Sequence, residues 1–441
     1  MKIVRMILKG LIVFFSLSVL PAIASCTSTG ASQTEDNRTA LIPFGKVNLF
    51  DTYFSPVGTL LGSVTVPPTN YTYGGATAST VLWTCDQSDL SSIYFLVATN
   101  GDDRVGGFYD IGTADGLDGV YATYFAYVGL KLTMNSQVLT RYWQKVPVTS
   151  YATSGTKIQI RLQDIPPLQA ELYRVSTLPG TSSASRYCGN NNTDKSGIVY
   201  GSTAGADYSC IQPNAYIQLF GPGLTGDQEG QDSAYNWRFW GADNGFGYGM
   251  RSVNRLYNTP TCVVRSATPL VMLPVISVAE LNNSLSSSAS FSVSVECSNS
   301  VASGTATSQT ALGFQVSAGA YNAANSLGLV NSSDGVSMLL SDNYNDATSA
   351  QGVGITIAYA SSPSSPLTLI GQTGTDPLNT SYMGSNAGWY PVLDNASATG
   401  SSVSGYTNYY YNFIATLKKI PGQTVTAGKV RATATVMVKV Q

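Results

Sequence analysis

The last residues of the chain, 429–441, alternate strictly between two kinds of side chain. Odd positions carry lysine, arginine, threonine, methionine or glutamine, whereas even positions carry only valine and alanine. Alternation over this length, with many β-branched residues, predicts a half-buried β-strand. Because the edge strand of a sheet leaves one row of backbone N–H and C=O groups unpaired, the sequence raises the question of what pairs with the far edge of this strand. The apolar face of the strand comprises Val430, Ala432, Ala434, Val436, Val438 and Val440.

The first 24 residues are typical of a secretory signal peptide. Basic residues precede an apolar run at 11–20, and Ala22-Ile23-Ala24 forms a small-x-small cleavage site. The apolar run is shorter than the roughly 20 residues that a membrane-spanning helix needs. We therefore expect that a bacterium exports the chain and that cleavage near Ser25 leaves a soluble protein.

Six cysteines are present, an even number, which in an exported protein predicts three disulfides. The simplest arrangement pairs consecutive cysteines along the chain, the first with the second, the third with the fourth and the fifth with the sixth. Six cysteines nevertheless allow fifteen connectivities. A rival interpretation treats residues 23–26 as a lipoprotein box, and lipidation at its last residue leaves one thiol without a partner. The six are Cys26, Cys85, Cys188, Cys210, Cys262 and Cys297.

Composition excludes several functional classes. The chain has no histidine and no CxxC spacing, so Cys/His zinc sites and histidine-dependent catalytic triads are not expected. Charged residues make up 11% of the chain and its net charge is −2, which supports neither a nucleic-acid partner nor a membrane surface. No motif for a cofactor or metal is present, and we expect neither. Low charge with 27 tyrosines suits an extracellular β-protein.

Short strand candidates recur between turns rich in Gly, Asn, Asp and Pro, with no amphipathic helical run after the signal. This pattern predicts β-sandwiches. Residues 254–261 contain Asn and Pro, which interrupt regular structure, and they mark the boundary between two domains. We expect a signal peptide at 1–24, a first domain at 25–256, a linker at 257–261 and a second domain at 262–441. The candidates are 62–66, 92–97, 121–133, 157–162, 170–175, 216–219, 248–253, 313–317 and 353–358.

The second domain opens with Cys262-Val-Val, Leu273-Pro-Val-Ile and a run that ends in Cys297, and it closes with the alternating tail. Together these features resemble a chaperone–usher fimbrial pilin domain. Pilins share a glycine 14 residues from the C-terminus, the place of Gly428. They usually have an aromatic penultimate residue, where this chain has Val440.

The resemblance implies an incomplete immunoglobulin-like sandwich with a Cys262–Cys297 disulfide. Gly428 and the apolar face of the final strand would line a groove that a donor strand fills. The implied partners are a periplasmic chaperone, the outer-membrane usher and the next fimbrial subunit. The alternative from the strand alone is an ordinary terminal strand of a complete sandwich.

A whole domain precedes this pilin-like unit, an arrangement that resembles the two-domain tip adhesins of the same fimbriae. The resemblance implies a lectin-like sandwich of jelly-roll or immunoglobulin-like type that binds a host-cell or environmental glycan or glycoprotein from the fimbrial tip at the bacterial surface. The mannose pocket of the type 1 adhesin cannot be transferred to this longer domain residue by residue. A minor adaptor subunit without receptor binding is the alternative.

Sugar sites combine aromatic faces with short polar groups on loops. The densest such stretch is 235–244, with Trp237, Arg238, Trp240, Asp243 and Asn244 as candidate ligand-binding residues. The competing interpretation is a strand in which residues 237 and 239 point into the core.

Two further loops offer polar candidates. Asn191 and Asp194 lie between two cysteines, and the alternative for them is a decorated hairpin. Asp102 and Asp103 suit sugar hydroxyls or calcium, but they fall short of an EF-hand pattern, and solvated turns are the favoured interpretation. Together with residues 115 and 118 they are the sole cluster for a carboxylate-based glycosidase. Because nothing in their spacing makes them converge, we expect no enzymatic activity.

Overall fold

The computed structural model describes residues 25–31, 37–180, 188, 198–239, 244–372 and 379–441. Within these residues the chain forms two successive all-β domains. The expected signal peptide lies outside the described residues. No helix in the described part of the chain combines the length and the apolar character needed to cross a membrane.

The first domain is built from short strands whose inward faces converge on one buried cluster that includes Trp83, Phe95 and Phe246. Its strands are β1 (Thr27–Ser28), β2 (Ala40–Leu41), β3 (Lys46–Asn48), β4 (Leu60–Val66), β5 (Val81–Asp86), β6 (Tyr94–Thr99), β7 (Val120–Ala122), β8 (Val128–Met134), β9 (Gln137–Val138), β10 (Gln144–Pro147), β11 (Ala152–Ser154), β12 (Lys157–Arg161), β13 (Leu168–Arg174), β14 (Ala206–Asp207), β15 (Ala215–Phe220), β16 (Gly245–Gly249) and β17 (Arg255–Tyr257).

These strands form four sheets. Their orders are β1-β5-β12-β11, β10-β6-β15-β16-β2, β4-β13-β8-β7 with β9 on β8, and β14-β17-β3. Among the described strands of this domain, only β16 with β2 and β17 with β3 pair in parallel. In β13, buried Leu168, Ala170 and Leu172 alternate with half-exposed residues, as expected for a strand with one face on a core.

Helical turns connect some strands. A π-turn covers Arg104–Phe108. Turns of 3-10 type cover Pro68–Asn70, Tyr73–Gly75, Gln87–Ser92, Thr113–Asp115, Leu162–Asp164, Arg251–Val253, Thr380–Tyr382 and Ser385–Ala387.

Most strand candidates in this domain coincide with strands, and two differ in extent. The candidate 121–133 is divided into β7 and β8, because the chain reverses through Tyr127, whose φ is +59°. The candidate 248–253 ends early, because residues 251–253 form a 3-10 turn.

The second domain is a sandwich of two sheets, β18-β19-β26-β22 with β25 on β26, and β21-β23-β20-β24 with β27 on β20. Its core lies between them and includes Val295, Leu312, Tyr411 and Phe413. The strands are β18 (Cys262–Ala267), β19 (Ser287–Ser298), β20 (Thr310–Val316), β21 (Gly335–Val336), β22 (Val353–Tyr359), β23 (Leu369–Ile370), β24 (Tyr390–Pro391), β25 (Ser397–Ala398), β26 (Tyr406–Lys419) and β27 (Ala434–Val440).

Two helices of this domain were not predicted from the sequence. Helix α1 (Val278–Asn282) is a single capped turn, in which Ser277 and Glu280 exchange capping hydrogen bonds. Helix α2 (Ala318–Ser326) is rich in alanine, and Ser317 caps its N-terminus. Helix α1 buries only Leu281 and helix α2 buries only alanines. Short helices of this kind give little periodic signal, so local capping and tertiary packing determine them.

Strand β27 is shorter than predicted. It pairs antiparallel with β20, from Thr310 opposite Val440 to Val316 opposite Ala434. Residues 429–433 instead follow the loop 342–350, with backbone hydrogen bonds of 2.9–3.0 Å to Asp342, Thr348 and Ala350. The alternating pattern therefore continues beyond the hydrogen-bonded strand.

The structure contains three disulfides, and each joins one cysteine to the next cysteine along the chain. They are Cys26–Cys85, Cys188–Cys210 and Cys262–Cys297. The last of these lies at the paired ends of β18 and β19, where the two residues are in register.

Candidate functional site

An apolar groove runs along the free edge of β27. Its deeper part has a volume of about 690 Å³ and its continuation about 360 Å³. One wall is formed by the last segment of the chain, through Val430, Ala432, Ala434 and Val436. Within the described residues, β27 pairs with β20 on its other edge, so the edge that borders the groove retains unpaired backbone groups.

The opposite wall is the extended segment 268–276, which lies between β18 and α1 and belongs to no described strand. Leu273 and Ile276 pack toward the core, whereas Leu270, Met272 and Val275 are largely exposed. A contiguous exposed apolar surface of this kind marks an interaction site.

The groove floor is the hydrophobic core seen through the gap between the sheets. Phe291 and Phe314 lie at one end, 5.8 Å apart by ring centroid. Ile355 and Leu417 lie at the other end. A strand with alternating apolar side chains would cover this floor and hydrogen-bond to the edge of β27, as in β-augmentation.

The residues proposed for the groove divide into two sets. Gly428 and the even positions 430–436 line it. Val438 and Val440 do not belong to this lining: Val438 packs against the sandwich core, and Val440 is buried opposite Thr310. The alternation continues past the groove because β27 runs on into the sandwich.

Gly428 is required by a close backbone approach. A Cβ atom built on it would lie 2.3 Å from the backbone nitrogen of Ala350 and 2.5 Å from the carbonyl carbon of Ser349. No side chain fits there without moving the loop 342–350. The glycine therefore sets the path by which the chain enters the groove wall.

The two domains meet at a joint centred on Glu296, which is only 3% exposed. The Tyr53 hydroxyl of the first domain donates to Glu296 Oε2 at 3.0 Å, and Arg265 Nη2 lies 2.6 Å from the same oxygen. The Tyr406 hydroxyl of the second domain donates to the carboxylate of Asp51 in the first. The Tyr53 and Tyr406 rings lie 4.7 Å apart. Polar and aromatic contacts together hold the domains against each other.

Replacing Glu296 by glutamine tests this joint. Burial alone would raise the pKa of the Glu296 carboxyl, but hydrogen bonds from Ser401, Arg265 and Tyr53 hold the pKa below its ordinary value. The carboxylate therefore stabilises the fold above its ordinary pKa, and this stabilisation is lost as the pH falls through the lowered folded-state value. We expect Glu296→Gln to lower the free energy of unfolding by about 2 kcal/mol near neutral pH.

Chemical denaturation of both proteins, near neutral pH and in acid below the lowered pKa, measures this effect. The difference should shrink in acid, where the wild-type carboxyl is also neutral. Glu229→Gln is the control, since Glu229 is 54% exposed and pairs with Lys145 at the surface, and it should cost less than about 1 kcal/mol. An equal loss for Glu296→Gln at both pH values would contradict the assigned role of the charge.

Two of the predicted ligand residues have structural roles instead. Asn244 is 1% exposed, its Oδ1 accepts from Trp83 Nε1 at 2.7 Å, and its Nδ2 donates to the carbonyl of Leu219. Asp103 is also buried, and its carboxylate accepts from the backbone N–H of Val105 at 2.9 Å. Both side chains are buried and hydrogen-bond within the protein, where they fix loops, so neither can present a polar group to a ligand.

Other candidates lie at the surface. Asp102, Trp237 and Arg238 are exposed. The interpretation that both Trp237 and Phe239 point into the core is wrong for the first, which is 44% exposed, and right for the second, which is buried. The remaining candidates lie outside the described residues: Asn191, Asp194, Trp240 and Asp243.

The structure brings the segment 141–143 into contact with the segment 231–236, which precedes Trp237, and none of these residues was predicted as a ligand residue. Tyr142 forms a β-bridge with Asp232, and Arg141 Nε lies 2.9 Å from Asp232 Oδ1. Tyr235 lies three residues beyond that aspartate and is largely exposed. The aromatic residues at 142 and 143 were the available sequence signal. Their contact with residues 231–236 could not be predicted, because the two segments are about 90 residues apart in the sequence.

Comparison with known proteins identifies the second domain. The family model described as Fimbrial protein matches residues 252–441. A search of curated proteins finds no match.

Three solved structures are similar to the chain at low identity. The P pilus rod subunit PapA is 16% identical, with 41% of this chain and 99% of PapA covered and a TM-score of 0.23. The CupB6 tip adhesin from Pseudomonas aeruginosa is 12% identical, with 94% of each chain covered and a TM-score of 0.21. The chaperone–tip subunit pre-assembly complex CsuC-CsuE of Acinetobacter baumannii gives 10% identity, 94% and 99% coverage and a TM-score of 0.21. The second domain of this chain, residues 262–441, therefore lies entirely within the region that the Fimbrial protein family model matches.

Proposed function

We propose that this protein is the tip adhesin of a chaperone–usher fimbria. Its C-terminal domain joins the fimbria by accepting a donor strand, and its N-terminal domain binds a receptor, most simply a glycan on a host cell or environmental surface. The observation that carries the proposal is an open apolar groove beside an unpaired strand edge, in a domain of the fimbrial protein family.

The groove supports strand exchange for a physical reason. Apolar side chains of both walls, and Phe291 and Ile355 of the floor, remain partly exposed in the isolated chain. Each square ångström of apolar surface that a donor strand covers contributes about 25 cal/mol. The edge of β27 offers backbone hydrogen bonds to an incoming strand at the same time. A periplasmic chaperone would supply that strand first, and the next subunit would replace it after passage through the usher.

The first domain supports a terminal position in the fimbria. It occupies the place in the chain where an ordinary subunit carries the segment that it donates to its neighbour. Contacts at the Glu296 joint hold it against the fimbrial domain. We propose an adhesive role for it rather than an enzymatic one.

A donor-strand peptide tests the assembly mechanism. We expect a peptide of alternating apolar residues, at about 1,000 times its Kd, to add about 4 kcal/mol of stability. For a domain of roughly 150–250 residues this corresponds to a rise in melting temperature of about 8–16 °C. Differential scanning calorimetry of the mature chain with and without the peptide measures the shift.

The matched control is a peptide of the same length with lysine at its inward-facing positions. The variant Val436→Asp, which places a charge on the groove wall, should also abolish the shift. A mature chain that is a stable monomer and has the same melting temperature with either peptide would refute strand acceptance.

A further inference from the structure

Three basic side chains come together where the second domain reaches the first. Lys46 of β3 lies opposite Arg255 of the parallel strand β17. Lys439 of β27 pairs with Ala311 inside the second domain, and it lies near enough to Lys46 for the two ammonium groups to repel each other. We call Lys46, Arg255 and Lys439 the basic cluster.

Hydrogen bonds hold the end of β27 beside the first domain. The Ser308 N–H donates to a backbone oxygen of Gln441 at 2.8 Å. The Ser308 hydroxyl donates to the carbonyl of Thr203, a residue of the first domain, at 3.1 Å. Because Lys439 lies two residues before Gln441, contact between the two domains brings it to Lys46.

Little neutralises the positive charge of the basic cluster. Arg255 Nε lies 2.6 Å from Asp207 Oδ1, a pair at the protein surface. The ion pairs among the described residues include neither Lys46 nor Lys439. The Lys46 ammonium lies 5.8 Å from the centroid of the Tyr257 ring, near the outer limit for a cation–π contact. The basic cluster therefore opposes docking of the domains, since like charges repel more strongly in a partly buried place than in water.

The pKa values of both lysines reflect this cost. Burial, followed by the charges of Lys439 and Arg255, lowers the pKa of the Lys46 amine from 10.5 to about 8. Burial also lowers the pKa of the Lys439 amine. A base whose pKa is lowered in the docked protein destabilises that state while the base is charged. The penalty is present in full below about pH 8, and it is relieved as the pH rises from about 8 toward 10.5.

Other contacts between the domains favour docking and keep their charge state over this range of pH. Tyr53 and Arg265 bind the Glu296 carboxylate, whose lowered pKa keeps it ionised. The hydrogen bond to Asp51 raises the pKa of Tyr406 to about 12, so this hydroxyl keeps its proton. A change in docking with pH is therefore expected from the basic cluster.

We propose that the basic cluster regulates how firmly the two domains dock. While both lysines are charged, the first domain separates readily from the second, and loss of a proton from Lys46 lets the joint close. Neither lysine belongs to the groove lining. The inference concerns the contact between the domains and requires neither a receptor nor a donor strand.

Distances between spin labels on the mature chain test the inference. The labels are attached to Ser154→Cys and Ser364→Cys, at exposed residues of different domains, while the six native cysteines are joined in disulfides. Double electron–electron resonance at about pH 7 and about pH 9.5, on either side of the pKa of Lys46, gives the distribution of interdomain distances. We expect the ratio of docked to separated molecules to rise about tenfold at the higher pH, less than the full change in pKa implies, because solvent screens a half-buried group.

Three variants separate the effect of charge from that of shape. Lys46→Met and Lys439→Met should stay docked at both pH values, because each removes one of the repelling charges. Lys46→Arg should separate at both, because a guanidinium keeps its charge throughout. The control is Lys145→Met, which removes a surface lysine paired with Glu229 inside the first domain and should respond to pH like the wild type.

A wild-type distribution that is the same at both pH values would overturn the inference. So would separation of both methionine variants as readily as the wild type, which would show that the two charges do not oppose docking. Neither result bears on strand acceptance, which the rise in melting temperature with the donor-strand peptide measures independently.

Discussion

Replacing Cys262 and Cys297 together by alanine is expected to lower the free energy of unfolding of the C-terminal domain by about 4 kcal/mol. The disulfide closes a loop of 35 residues, and the loop-entropy relation assigns about that value to a loop of this length. This loss of stability should be a large fraction of the total for the domain, because the domain has an open groove where a complete sandwich would have a strand. Both cysteines are buried at the paired ends of β18 and β19.

Hydrogen exchange measured by mass spectrometry resolves this effect by domain. Amides of β19 and β26 should exchange up to roughly a thousandfold faster in the double variant, since each 1.4 kcal/mol is a factor of ten. The matched control replaces Cys26 and Cys85, which are joined in the first domain. It should accelerate exchange in β5 and leave β19 unchanged. Protection of β19 that survives the loss of its own disulfide would contradict the expectation.

Gly428→Val is expected to destabilise the C-terminal domain by about 3 kcal/mol, toward the upper end for overpacking. The first side-chain atom would lie 2.3 Å from the backbone nitrogen of Ala350, and backbone cannot rotate away as a flexible side chain can. The loop 342–350 must move, and with it the hydrogen bond of 2.9 Å from Ala350 N–H to the carbonyl of Lys429. Val430 and Ala432 would then leave the groove wall.

Two measurements separate this effect from a general loss of stability. Chemical denaturation gives the change in free energy, and titration with the donor-strand peptide gives the change in affinity. The control is Ala398→Val, a change of similar size at an exposed residue outside the groove lining, which should affect both quantities little. If Gly428→Val bound the peptide as tightly as the wild type, the assigned role of the glycine would be wrong.

Local sequence patterns predicted those features that depend on near neighbours. Period-two alternation identified strands such as β13 and β27, because alternate side chains of a strand face opposite sides of a sheet. The resemblance of the Cys262–Cys297 region and Gly428 to pilins led to the groove. The same reasoning extended β27 too far, because residues 429–433 keep the alternation while their hydrogen bonds go to a loop.

Candidate ligand residues were predicted less well, because a polar residue beside tryptophans has the same local sequence whether it is exposed or buried. Asn244 was chosen for that reason, yet its amide bonds to Trp83 and Leu219 and supports a loop. Asp102 and Asp103 are adjacent in sequence, but the first is exposed and the second is buried.

The sequence by itself determined the all-β class, the strand-rich fimbrial domain and the chemical character of the groove wall, because side-chain periodicity and backbone sterics act over a few residues. Only the tertiary structure decided which edge of β27 stays unpaired and which distant segments of the first domain lie together. Tyr142 and Asp232 are 90 residues apart in sequence and form a β-bridge. Contacts of this kind arise from packing across the whole chain, which a local pattern does not encode.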